Sequence, residues 1–288
     1  MKTFDIRYTL TAPVSHIGET ASTGSYFQTI NTQGGRLPVI TGNSVRGILR
    51  DKLAAHLLTV LGNPVDKETF NVLFSGGNIS GSTKNDVQRA KMVREHFPMI
   101  SLLGGGLGTM IMSGNLVSGF VYPICRESEF LTGINSDVSW HDLIDDIEFT
   151  RMDDTKEDKN SDSITDIEEE KKAKASTQMR FSVQYLSAGT EMMQRLVLLD
   201  SASEIEESAL WMALYKWFEL PILGGMKAKG FGTFAASVNA SRMTVDTTGI
   251  HTSNYVDDYI KLYDDFVCKD DPEKWIYLLK EGAKSGKT

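Results

Sequence analysis

Acidic residues are concentrated in one part of this sequence, and their concentration limits which residues can form a core. Fourteen acidic and six basic residues lie within residues 137–174, so this stretch alone accounts for the net charge of −8 of the chain. It has few apolar residues and no periodicity, which is typical of a solvated loop or insertion. The core must therefore form from the residues before and after it, which together carry no net charge.

The residues on either side of the acidic stretch alternate between strand and helix patterns. Residues 4–11 alternate apolar and polar side chains, and residues 45–60 carry apolar side chains at helical spacing, with Asn43 as the expected N-cap. We expect a loop at 12–36. Further along we expect a charged helix at 86–96, strands within 110–124, a hairpin of 179–185 with 191–199, a capped helix from Ser203, a strand ending at Val238, and helices at 255–267 and 272–281. This order predicts an α+β fold: a ferredoxin-like core in a single domain, 1–288, with a large insertion and additional helices.

Several function classes find no support in the sequence. Cys125 and Cys268 are far apart and belong to no CxxC or Cys/His pair, so no disulfide framework or zinc site is indicated. No apolar run approaches the roughly 20 residues of a membrane helix, and the N-terminus lacks an apolar signal core, which predicts a cytoplasmic protein without a membrane partner. Residues 282–288 resemble a P-loop but are one residue short and follow no strand. We therefore expect neither a metal nor a cofactor.

The start of the first predicted helix is a candidate phosphate-binding site. Asn43 and Ser44 lie where backbone N–H groups are free, and Arg46 and Arg50, four residues apart, share one face. Such an arrangement suits phosphate oxygens. An ordinary capped helix with two solvated arginines is the alternative interpretation. Gly47 favours the first, because a glycine inside a helix usually marks close packing or close backbone approach.

A second candidate is the glycine-rich segment 224–232. Gly225 and Gly230 would let a ligand approach the backbone, and Lys227 and Lys229 supply positive charge to a polyanion. A flexible turn is the alternative. The segment leads into a strand rather than a helix, so it does not match a dinucleotide-binding fingerprint.

These two segments together resemble the RAMP superfamily of CRISPR-associated proteins. Residues 224–232 are similar to the family's signature of paired glycines around a basic residue. Residues 37–50 resemble the first helix and its approach in the backbone subunits of class 1 effectors, and residues 185–191 are similar to their strand turn after the insertion. Asn43 and the approach through Pro38 look most like the type IV backbone subunit.

The resemblance implies a modified RNA-recognition fold shaped as a hand, in which many copies polymerise along one guide RNA (crRNA). It implies that residues 125–178 act as a thumb that displaces guide bases, and that guide phosphates and sugars contact the two segments described above. The partners implied are the crRNA, a target nucleic acid (DNA rather than RNA), further copies of the chain and other effector subunits. RNA-cleaving type III relatives place an aspartate between the first strand and first helix; here Glu19 is the only acid between Asp5 and Asp51. The resemblance therefore implies a scaffold that does not cleave its target.

Two other functions stay open at the level of sequence. His16, with Glu19 three residues on, could act as a general base on a ribose 2′-hydroxyl in a metal-independent endoribonuclease that processes guide precursors. A protein-interaction scaffold without nucleic acid is also compatible with the neutral core. Tyr26 and Phe27 are candidates for stacking on bases, and a structural role for them is equally compatible with the sequence.

Overall fold

We describe the chain from a computed structural model, which covers residues 1–21, 24–78, 86–151, 179–240, 243–246 and 254–280. The strands are β1 (Lys2–Leu10), β2 (Ile17–Ala21), β3 (Gly24–Phe27), β4 (Thr29–Thr32), β5 (Gly35–Pro38), β6 (Gly105–Leu107), β7 (Met110–Met112), β8 (Leu116–Pro123), β9 (Ile144–Arg151), β10 (Met179–Leu186), β11 (Glu191–Leu198), β12 (Phe234–Ala240) and β13 (Met243–Asp246). The helices are α1 (Gly42–Leu61), α2 (Lys67–Ser75), α3 (Val87–His96), α4 (Pro98–Leu103), α5 (Glu129–Thr132), α6 (Glu204–Phe218), α7 (Asn254–Asp270) and α8 (Pro272–Trp275).

The main sheet has five antiparallel strands in the order β13-β12-β1-β11-β8. Along the chain, β1, α1, β8, β11, α6 and β12 follow the strand–helix–strand–strand–helix–strand order of a ferredoxin-like fold. The predicted α+β ferredoxin-like class is thereby confirmed.

The core lies between this sheet and its helices. Alternate residues of β1, such as Phe4 and Tyr8, are buried, as the apolar-polar alternation predicts. Phe4 packs edge-on against Trp211 of α6 with ring centroids 5.4 Å apart, and Tyr8 lies 6.1 Å from the ring of Trp217. The opposite face of β1 carries exposed polar side chains such as Arg7 and Thr9.

A second sheet has four strands in the order β2-β3-β10-β9. Its strands β9 and β10 pair antiparallel from Ile144↔Leu186 to Arg151↔Met179. Residues 152–178, half of the predicted thumb, lie outside the described residues, as do residues 282–288. The described chain therefore stops at Arg151 and resumes at Met179, which are paired at one end of the two-stranded β9–β10 ribbon.

The structure corrects two sequence predictions of secondary structure. The expected loop at 12–36 contains β2, β3, β4 and the first two residues of β5, because polar Ser, Thr and Asn residues can form strands that stay exposed at a sheet edge. The expected hairpin of 179–185 with 191–199 is wrong, because β10 pairs with β9 and β3, whereas β11 pairs with β1 and β8. The turn between them crosses from one sheet to the other, with Gly189 N–H donating to the Leu10 carbonyl (2.7 Å).

Other predictions of local structure are confirmed. Helix α3 has Asp86 as its N-cap and ends before Pro98, and α6 begins with a capping box between Ser203 and Glu206. Helix α7 covers the predicted 255–267. The second C-terminal helix is shorter than expected, since α8 is followed by a 3₁₀ segment, Ile276–Leu279.

Candidate nucleic-acid interface

The N-cap of helix α1 lies two residues before the predicted cap. Thr41, not Asn43, is the N-cap: its backbone is extended (φ −69°, ψ 142°) and its Oγ1 accepts a hydrogen bond from the N–H of Ser44 (3.3 Å). The earlier start is possible because Gly42 presses against β8, where a Cβ would overlap the Ser118 carbonyl oxygen. Asn43 is consequently inside the first turn and exposed, with its side chain free of the capping role.

The two candidate segments meet at a short stretch of chain after β1, Pro13 to His16. The Nε2 atom of His16 accepts a hydrogen bond from the N–H of Thr41 (3.3 Å), which fixes the start of α1. The Ser15 carbonyl accepts from the N–H of Gly225 (2.7 Å), and the Pro13 carbonyl accepts from the N–H of Gly232 (2.8 Å). This stretch, which we call the connecting stretch, therefore holds both segments at once.

An electrostatic interaction between Lys227 and Asp51 also shows that the two segments lie close together. Burial raises the pKa of Asp51 on α1, and nearby positive charges, Lys227 among them, oppose that rise. Lys227 belongs to the glycine-rich segment, 176 residues further along the chain. Its ammonium group is thus near enough to α1 to act on one of its side chains.

The glycine-rich segment is a tight loop with an exposed tip. A Cβ on Gly224 would lie 2.5 Å from the Ser15 carbonyl oxygen, so this glycine permits the close approach to the connecting stretch. The tip is a 3₁₀ turn, Lys227–Lys229, between Met226 (φ 60°) and Gly230 (φ 83°). Gly225 and Gly230 are exposed, as are both lysines.

The two arginines of α1 turn away from solvent. Arg46 and Arg50 both donate to the Leu103 carbonyl at the end of α4, and Arg50 also donates to the Gly104 carbonyl (2.9 Å). Arg50 is only 8% exposed, and burial, followed by the neighbouring charge of Arg46, lowers its pKa. Within the described residues neither arginine forms an ion pair, and Arg46 Nε and Arg50 Nη1 have no hydrogen-bond partner. They cap the carbonyl end of α4 and retain two unused donors.

The side of α1 that carries Asn43 is open. Gly47 is one turn from Asn43, and no atom of the described chain lies within 4 Å of the position a Cβ on Gly47 would occupy. Close packing within the protein therefore does not account for this glycine. An open helical backbone beside Asn43 and Ser44 is a surface that a second chain can approach closely.

Lys229 is engaged differently from Lys227. Its Nζ lies 3.9 Å from the centre of the Phe149 ring and 4.8 Å from that of Phe181, within the range of a cation–π interaction. The two rings are a cross-strand pair of β9 and β10 and stack at 5.4 Å. Sequence reasoning missed both, since Phe149 sits inside the acidic stretch, whose polar composition conceals it.

The candidates for base stacking differ in accessibility. Tyr26 on β3 is 38% exposed. Phe27 is 2% exposed and its ring packs edge-on against His16 at 6.2 Å. Phe27 is therefore part of the core, and we do not retain it as a stacking residue.

His16 and Glu19 do not form a pair. Burial lowers the pKa of His16, so its neutral form, which accepts the hydrogen bond from Thr41, is favoured. Glu19 lies on the exposed strand β2, where no hydrogen bond or ion pair joins it to His16. Among the described residues no group of three or more His, Cys, Asp or Glu side chains is placed to hold a metal ion. None of the helices among the described residues combines the length and apolar composition needed to cross a bilayer.

Comparison with known proteins agrees with this architecture. The family model described as "RAMPs: RAMP superfamily" matches residues 7–235. A chain of a solved structure entitled "Type IV-B CRISPR Complex" superposes with a TM-score of 0.61 at 21% sequence identity, over 84% of this chain and 92% of that chain. No curated protein matches the sequence.

Proposed function

The chain belongs to the RAMP superfamily, and from that premise we propose that it is a non-catalytic backbone subunit of a class 1, type IV CRISPR interference complex. In this role, copies of the chain polymerise along a crRNA and present the guide for pairing with a target, DNA rather than RNA. The fold shared with a chain of a type IV-B CRISPR complex supports the assignment. Other effector subunits are its further partners.

The observation that carries the proposal is the convergence of the two candidate segments. The connecting stretch is hydrogen-bonded to Thr41 at the start of α1 and to Gly225 in the glycine-rich segment. We infer that the exposed Asn43 at the start of α1, the open backbone at Gly47 and the exposed ammonium of Lys227 form one surface. Such a surface suits the phosphates and sugars of a single strand, which carry no sequence information.

Seven of the eight predicted contact residues divide into two groups in this proposal, and Lys229, whose ammonium lies over the rings of Phe149 and Phe181, belongs to neither. Asn43, Ser44, Gly225, Lys227 and Gly230 are exposed or partly exposed and suit direct contact. Arg46 and Arg50 are committed in part to the Leu103 carbonyl and their unpaired nitrogens are buried, so they contribute through positive potential rather than direct contact.

Salt dependence of RNA binding tests the proposal. We expect purified protein to retain a discrete short RNA and to bind guide RNA of any sequence. Lys227→Ala removes one phosphate contact, so the slope of log K against log salt should become shallower by about 0.7. Lys261→Ala, which removes an exposed lysine on α7, is the matched control and should leave the slope unchanged. Protein that carries no RNA, or equal slopes for both variants, contradicts the proposal and favours a protein-interaction scaffold.

We also propose that the chain does not cleave RNA. Its support is that the acceptor nitrogen of His16 is occupied by the Thr41 N–H, with Glu19 lying apart on β2. Incubation with repeat-containing RNA in the presence of a chelator should leave the RNA intact. Specific cleavage that His16→Ala abolishes would instead establish the endoribonuclease.

A further inference from the structure

The two lysines of the glycine-rich segment differ in their surroundings although they are two residues apart. Lys227 makes no ion pair and no ring contact within the described residues. The ammonium of Lys229 lies over two stacked rings, 3.9 Å from the centre of Phe149 and 4.8 Å from that of Phe181. Removing an ammonium from a ring face to reach a phosphate forfeits this attraction, whereas Lys227 has no such contact to lose.

Those rings belong to the two strands on either side of residues 152–178. Phe149 on β9 and Phe181 on β10 are directly paired, only two residue pairs from the point where the described chain leaves this ribbon at Arg151. Phe231, at the other end of the glycine-rich segment, is 6% exposed and packs edge-on against Tyr185 of β10 at 6.0 Å. The segment therefore touches the ribbon through two of its side chains.

We propose that Lys229 is a positioning residue: it fastens the tip of the glycine-rich segment to the β9–β10 ribbon and thereby holds Lys227 over α1. The tip needs such an anchor. Its backbone turns at Met226, a non-glycine residue at φ 60°, and the hydrogen bonds within it are the short-range ones of a single 3₁₀ turn. The main-chain bonds to the connecting stretch lie outside the tip, at Gly225 and Gly232.

Hydrogen exchange of the tip amides, measured without RNA, tests the proposal directly. Lys229→Met keeps the length and apolar stem of the side chain but removes its charge, so exchange of residues 226–230 should rise about 2- to 5-fold. Lys229→Arg should keep exchange near wild type, because a guanidinium also stacks on aromatic rings. Lys227→Met is the matched control in the same turn and should leave exchange unchanged.

A double-mutant cycle identifies the partner ring. Phe149→Leu alone should raise exchange in the tip, and adding it to Lys229→Met should cause little further rise, because both changes remove the same contact. Should Phe149→Leu fail to fold, the comparison of Lys229→Met with Lys229→Arg decides alone. The proposal that Lys229 anchors the tip would be overturned if Lys229→Met left exchange unchanged. It would also be overturned if the rise in exchange in the double variant equalled the product of the rises in Phe149→Leu and Lys229→Met.

The consequence for the guide rests on the proposed function and has its own readout. Lys227→Met should make the salt slope shallower by about 0.7, whereas Lys229→Met should weaken RNA binding with an unchanged slope. A slope that falls equally in both variants makes Lys229 a phosphate contact and overturns its positioning role. A protein that binds no RNA refutes the proposed function alone, since the exchange measurement still decides whether Lys229 anchors the tip.

Discussion

At the scale of single residues, Gly47 combines a partly exposed helical position with a cost in stability. An interior helical glycine is less favourable than alanine by about 1 kcal/mol, and the space around Gly47 is empty in the described chain. Under the proposed function, this cost in stability is offset because the absence of a side chain lets the guide RNA approach the helix backbone closely. This is the reason that we include the Gly47 backbone in the guide surface.

Gly47→Ala should therefore stabilise the free protein and weaken guide binding. We expect the free energy of unfolding to rise by about 0.5–1 kcal/mol, measured by thermal or denaturant unfolding, with a several-fold loss of affinity for guide RNA. Gly62→Ala is the contrasting control. Its surroundings are equally empty, but φ of +66° strains an alanine, so stability should fall without an effect on RNA. Unchanged RNA affinity in Gly47→Ala would remove this backbone from the proposed surface.

His16 gives the interface a dependence on pH. Because burial lowers the pKa of folded His16, the folded state binds fewer protons than the unfolded chain, whose histidine titrates near about 6.5. Stability should thus rise with pH through the window between the folded pKa and about 6.5, and the contribution is lost as pH falls through it. Protonation also removes the acceptor that holds the Thr41 N–H.

Thermal unfolding of wild type and His16→Gln between pH 5 and 8 measures this contribution. Glutamine offers an uncharged acceptor, so the variant should lose less stability than wild type on acidification. His56, whose pKa burial also lowers, is present in both proteins and cancels in the comparison. Identical pH profiles would show that His16 does not titrate in this window.

At the scale of elements, predictions from the sequence succeeded where the determining interactions are local. The capping box of α6 joins residues three apart, and Asp86 caps α3 in the same way. The predicted hairpin after the acidic stretch failed because the partner of β10 is β9, from which residues 152–178 separate it along the chain. Likewise, the aromatic partners of Lys229 could not be foreseen, since a contact between residues 149 and 229 depends on the tertiary fold.

The α6 capping box provides a test at this scale. Ser203 accepts from the N–H of Glu206 and its own N–H donates to the Glu206 carboxylate (2.7 Å), so Ser203→Ala should destabilise the protein by about 1 kcal/mol. Ser113→Ala, in the exposed turn between β7 and β8, is the control and should change the unfolding midpoint little. Because Ser203 caps the N-terminal end of α6, whereas the C-terminal end leads into the glycine-rich segment, guide binding should be unaffected. Equal stability of the two variants would contradict the cap.

At the scale of the whole molecule, the net charge of the chain is concentrated in the acidic stretch, and the core forms from other parts of the sequence. Strand β9 ends at Arg151 and strand β10 begins at Met179, and these two residues are paired with each other. Replacing residues 152–178 with a short Gly-Asn turn should therefore preserve the ribbon, and the unfolding midpoint should stay within a few degrees of wild type. Loss of folding would show instead that the segment contributes to the core.

The same deletion separates folding from assembly under the proposed function. The resemblance implies that residues 125–178, which include this segment, displace guide bases at intervals, so filaments of the shortened protein should protect guide RNA from nuclease without the regular interruptions of wild type. Unaltered periodic protection would assign the displacement to another element. The number of copies bound should grow in proportion to guide length for both proteins, which light scattering of the assembled complexes can measure.

The connecting stretch has a consequence for the thermodynamics of assembly. Because Thr41 and Gly225 are tethered to neighbouring residues, the distance between the two segments that contact RNA under the proposed function is set before RNA arrives. Little conformational entropy then has to be lost on encounter, and affinity is governed by how well that preset distance matches the rise of the nucleotide strand. In a polymer of such subunits, each copy would therefore cover a fixed length of RNA, whatever bases the strand carries.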